Sequence, residues 1–139
     1  MRLLIILTLL ASPASAWEFS SRPICTLTHE TPEVAVKVTF DPRIGEYAIA
    51  LTRSAGWPAF PLFAMRFDGP RGLTISTSRH MLDGGTLTVT DRGFGNVLNG
   101  LEFNETVLAM TGEDAVTFPL SGAAPAVREF RACATAPTA

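Results

Sequence analysis

Between Ile24 and Leu120 apolar and polar positions mostly alternate with a period of two, the mark of strands that bury one face. Val34, Val36, Val38 and Phe40 fall on one side, with Ala35, Lys37 and Thr39 on the other. Asp41-Pro42-Arg43-Ile44-Gly45 then reads as a turn, because proline presets φ and glycine accepts positive φ. Tyr47, Ile49 and Leu51 alternate back, which predicts a hairpin. Leu62 to Phe67 and Leu73 to Ser78 flank Asp68-Gly69-Pro70-Arg71-Gly72 and predict a second hairpin. Val107 to Met110 and Val116 to Leu120 flank Thr111-Gly112-Glu113-Asp114 and predict a third. Thr86 to Thr90 follows the Asp83-Gly84-Gly85 turn, and Cys25 to Thr28 forms a first strand.

Two segments leave this period. Phe94, Val97, Leu98 and Leu101 lie at i, i+3, i+4 and i+7, one face of a short helix, with Asp91 as its expected N-cap and Gly100 as its expected end. A second helix follows the last strand. Ser121 is placed to cap it, Pro125 is tolerated in its first turn, and Val127, Phe130 and Ala134 share a face. About eight antiparallel strands with one inserted helix and a C-terminal helix predict a mainly β fold, either a β-sandwich or a flattened barrel.

The first sixteen residues follow a different logic. Met1-Arg2 supplies one positive charge, Leu3 to Leu10 is apolar but for Thr8, and Ala14-Ser15-Ala16 offers small residues ahead of Trp17. That layout is a secretory signal peptide spanning 1–16. Its apolar stretch is far short of the roughly 20 residues a membrane-spanning helix needs. Cleavage after Ala16 leaves one domain, 17–139, of 123 residues, enough to bury a core. It contains two cysteines, Cys25 and Cys133. In an exported chain with no Cys-x-x-Cys pair, these are expected to form one structural disulfide that ties the ends together. The expected location is periplasmic or secreted, with no stable membrane span after cleavage.

Charge narrows the partners. The full chain carries a formal net charge of −2, and loss of Arg2 makes it −3. Ten arginines and Lys37 are scattered singly, so nothing forms the basic patch that nucleic acid requires. Two separate histidines, His29 and His80, fall short of a metal set, and no phosphate-binding glycine loop or Gly-x-Ser-x-Gly nucleophile turn is present. No cofactor is called for. The most chemically suggestive group is His80 with Asp91 and Arg92, which could be assembled into an acid/base site; the plainer expectation is that His80 ends a strand and caps a turn. In the proline-stiffened segment Gly56 to Phe63, Trp57, Phe60 and Phe63 form either an apolar binding patch or a plug at the end of the sandwich. Asp91 to Asn104 is dense in glycine, asparagine and charge, and reads as turn and cap chemistry beside the short helix.

The closing segment, Val116-Thr117-Phe118-Pro119-Leu120-Ser121-Gly122-Ala123-Ala124 through Phe130-Arg131-Ala132-Cys133, resembles the end of the invasion-associated locus B family. In these exported alphaproteobacterial proteins a last strand leads through a small-residue turn into a helix ending in cysteine. The resemblance covers about eighteen residues, with the remainder matching in layout alone. It implies a periplasmic β-sandwich and brings no catalytic residues. Together these observations favour a non-enzymatic exported domain that binds a partner, such as an envelope protein, or supports the envelope. Binding of a small apolar ligand or lipid is the second expectation, and a small hydrolase-like enzyme using His80 the third.

Overall fold

A computed structural model describes residues 16–136; the expected signal peptide, Ala16 apart, lies outside them. The chain forms β1 (Glu18–Ser20), β2 (Cys25–Glu30), β3 (Ala35–Asp41), β4 (Glu46–Thr52), β5 (Phe63–Asp68), β6 (Leu73–Thr77), β7 (Met81–Asp83) and β8 (Thr86–Asp91). Helix α1 (Gly95–Phe103), strands β9 (Thr106–Thr111) and β10 (Asp114–Pro119), and helix α2 (Ala123–Ala134) complete it. All pairings are antiparallel. A six-stranded sheet runs β1-β2-β3-β4-β8-β7, and a four-stranded sheet runs β10-β9-β5-β6. The two sheets make a sandwich with free edges, not a closed barrel.

The alternating pattern sets the register. In the larger sheet Leu27, Val38, Ile49 and Val89 stand in one inward row, and His29, Val36, Leu51 and Leu87 in the next. In the smaller sheet Leu73, Phe67, Val107 and Phe118 form a facing row. Phe67, Phe118 and Phe130 are almost fully buried, and burying a side chain of this size contributes about 1.5–3 kcal/mol each. The larger sheet is wider than its partner, and different elements cover its two ends. At one end Arg53, just past β4, pairs with Asp114 at 2.9 Å, while the Trp17 indole N–H donates to the Pro119 carbonyl at 3.2 Å. Strand β10 therefore runs across the strand ends from β4 to β1. At the other end Tyr47 packs on Phe94 of the α1 entry and on Phe130 of α2, so the helices fill the layer that β10 leaves uncovered.

Cys25 and Cys133 are bonded, with Cα atoms 5.9 Å apart across a separation of 108 residues. The expected staple is present, and it holds α2 against the start of β2.

Four expectations are corrected in detail. The described residues form ten strands, the two beyond the expected eight or so being β1 and β7. Each has three residues and lies at a sheet edge, too short to display a period. Asp91 ends β8 and does not cap α1, which begins at Gly95 with no side-chain cap. Gly100 lies inside α1. A Cβ there would sit 2.6 Å from the Phe67 ring, so this glycine permits a close approach between helix and sheet and does not end the helix. Nor does Ser121 cap α2. Gly122 holds that position at φ 75°, a backbone conformation glycine adopts without strain.

Candidate functional site

Strands β6 and β8 belong to different sheets and face each other where the sandwich parts. Ile75 and Val89 point inward yet remain half-buried, because among the described residues no further strand closes the gap between them. A cleft of about 580 Å³ results. Its floor is apolar, built from Ile49, Phe63, Met65, Ile75, Val89 and Phe94; its rim carries Ser76, Thr77, Thr90 and Asn96. Arg79 and Asp91 approach to 3.7 Å at this rim, linking the chain after β6 to the end of β8. Both side chains are at least half exposed, so the pair contributes at most about 1 kcal/mol and can open readily. The volume lies within the 300–1,000 Å³ of small-molecule sites, which combine apolar walls with a few polar groups.

No family model matches the chain, and no curated protein or solved structure does.

Of the polar residues singled out from sequence, Asp91 lines the cleft, while His80 and Arg92 do not. The His80 Nε2 lies 2.9 Å from the Phe60 carbonyl, and the ring leans on Phe63 at 6.0 Å between centroids. His80 thus clamps the chain after β6 onto the segment before β5. Among the described residues no hydrogen bond or ion pair joins His80 to Asp91 or Arg92. Asp91 instead faces Arg79, and its Oδ1 accepts the Arg92 backbone N–H at 2.7 Å. His29 lies apart, on the inner row beside Trp17. Among the described residues no three His, Cys, Asp or Glu side chains are grouped to hold a metal ion.

The aromatic segment divides. Trp57 is buried, its N–H donating to the Leu51 carbonyl at 2.9 Å, its ring covered by the Arg53 guanidinium at 4.6 Å and set edge-on to Phe63 at 6.2 Å. Phe63 is buried as well, so Trp57 and Phe63 plug the core, and Phe63 doubles as cleft floor. Phe60 alone of the three reaches solvent, at 47% exposure, next to equally exposed Leu62. These two line a shallow groove with Pro58, Ala64 and Met110. Leu62 and Met110, like Ile75 and Val89 in the cleft, follow the strand period and carry no separate sequence signal. Asn104, expected as a turn former, is a buried clamp. Its amide donates to the carbonyls of Arg71 and Gly100 and accepts from the Arg71 N–H, joining the end of α1 to the β5–β6 turn.

Proposed function

We propose that this protein is an exported, non-enzymatic binding domain, and that its working site is the cleft between β6 and β8. Its ligand is a small, largely apolar molecule with a polar end. The observation that carries the reading is the half-buried apolar floor. Ile75 and Val89 stay in contact with water in the free protein, and a ligand seated on them recovers the burial that the parted sheets forgo. The rim supports a ligand with a polar end, since hydroxyls and the weak Arg79–Asp91 pair are placed to exchange partners with it. Periplasmic or secreted location is supported by the signal-like start, by the Cys25–Cys133 bond and by the likeness of the closing segment to the invasion-associated locus B family.

The test is native mass spectrometry of protein recovered from a periplasm, followed by titration with a fluorescent apolar probe. Wild type should bind one probe per chain, and Ile75→Trp, which fills the cleft, should abolish binding while leaving the far-UV spectrum intact. Equal binding by both proteins would remove the cleft from consideration. A second reading, docking of an envelope protein on the Phe60 and Leu62 ledge, is supported by the exposure of those two side chains. It predicts that Phe60→Ser with Leu62→Ser abolishes capture of the partner without altering probe binding.

A further inference from the structure

The inward row His29, Val36, Leu51, Leu87 contains one polar side chain. His29 is 6% exposed, and neither ring nitrogen has a hydrogen-bond partner. A buried, unpartnered imidazole at this position is costly, by the general cost of burying a polar group without a hydrogen bond. What covers it is Trp17. The two rings stack with centroids 4.6 Å apart and planes within 10°. Pairing of Glu18 with Thr28 sets Trp17 opposite His29 at the entrance to β1. Trp17 is itself pinned, by its bond to the Pro119 carbonyl and by its contact with Phe118. The peptide that joins Ala16 to Trp17, whose Ala16 end meets the imidazole, is therefore held in place. Ala16 precedes it, exposed, at the lip of a groove that also includes His29, Glu18, Glu30 and Lys37.

We propose that the chain is cut between Ala16 and Trp17, and that the α-amino group this creates is received by a ring nitrogen of His29. The cut is a hydrolysis. Water adds across the Ala16–Trp17 amide, the carboxylate leaves on Ala16, and the amine stays on Trp17. A peptidase that reads small residues is matched by Ala14-Ser15-Ala16, and the cut falls where an exposed residue gives way to a buried one. Before cleavage Trp17 offers one amide N–H, and the Ala16 carbonyl that meets the imidazole forms no well-aligned bond with it. Oxygen and nitrogen of one amide are only about 2.2 Å apart, from standard bond lengths. When the carbonyl departs, an ammonium with three donors stands within that distance of the vacated place. Burial holds His29 below its ordinary pKa, so the ring is neutral and presents the lone pair that the ammonium needs. Processing thus supplies the partner that the buried histidine lacks, and the mature N-terminus becomes part of the fold. This inference is independent of the cleft.

The experiment compares protein exported and processed in a bacterial periplasm with the same disulfide-bonded chain prepared to begin at Ala16. Intact mass should place the processed terminus at Trp17; a terminus elsewhere overturns the proposal. The His29 ring nitrogens, followed by ¹⁵N NMR, should shift between the two proteins, and the chain beginning at Ala16 should melt about 3–5 °C lower, the size expected for one interaction of this kind in a domain of this length. In a His29→Phe background, which keeps the stack and removes the acceptor, the difference in melting temperature should vanish. His29→Leu, which also lacks an acceptor, serves if the phenylalanine variant does not fold. Identical His29 signals and melting temperatures for the two termini, or a difference that persists without the histidine, would overturn the role of His29.

Discussion

Replacing both bridged cysteines, Cys25→Ala with Cys133→Ala, removes a link between residues 108 apart in sequence. In the chain-entropy treatment a closed loop of that length restrains the unfolded ensemble by about 4.8 kcal/mol at 25 °C. Loss of the buried Cys25 sulfur adds a small cavity, worth about 1 kcal/mol. A domain of roughly 120 residues unfolds with an entropy near 0.25 kcal/mol/K at its midpoint, so the loop effect alone corresponds to a fall in Tm of about 15–20 °C. Alanine is preferred to serine because it places no hydroxyl at the buried Cys25 site. Thermal and urea unfolding followed by circular dichroism would measure the change, and the urea slope should rise because the unlinked chain exposes more surface. A drop under about 5 °C would refute the reasoning. It would mean that Trp17 and Phe130 already hold the two ends together in the unfolded ensemble, leaving the bond little to restrain.

Other substitutions test the packing. Gly100→Ala should destabilise by about 1–3 kcal/mol, although alanine is the better helix former, because its methyl group meets the Phe67 ring; an unchanged urea midpoint would show that the ring can move aside. Asn104→Ala deletes three hydrogen bonds and leaves the Arg71 N–H without its acceptor, so a loss of about 2–3 kcal/mol is expected in urea unfolding. Burial lowers the pKa of His29 below its usual 6.5, so the unfolded chain binds this proton more readily than the folded one. Stability from this group is complete above pH 6.5 and declines as pH falls through 6.5 toward the folded value. Unfolding midpoints at pH 7.5 and pH 5 should differ in wild type and differ less in His29→Phe.

The hairpins were legible because a strand with one buried face must alternate, and β3 with β4 does so over seven residues each. Strands β1 and β7 were not, since three residues give barely one repeat, and as edges they are fixed by a single neighbour. The helix around Phe94 to Leu101 was visible in its apolar face, but its ends were not. Both depend on packing: Gly100 is set by a ring on β5, and Asn104 by the backbone of a turn 33 residues away. The cysteine pair followed from counting. The cleft did not, because Ile75 and Val89 look like any inward strand residue, and only the parting of two sheets leaves them in water. His80 drew attention as a titratable group, yet its partner is a backbone carbonyl, which no side-chain pattern reveals.

The solitary disulfide also limits how the chain can go wrong. Two cysteines allow a single intramolecular connectivity, so oxidation needs an electron acceptor but no reshuffling of scrambled isomers. As the chain emerges N-terminus first, Cys25 has no intramolecular partner until the last turns of α2 appear. During that interval its one available error is a bond to another molecule. Covalent dimers that disappear on reduction, and that become more abundant at higher expression, are therefore the misfolded species this arrangement produces.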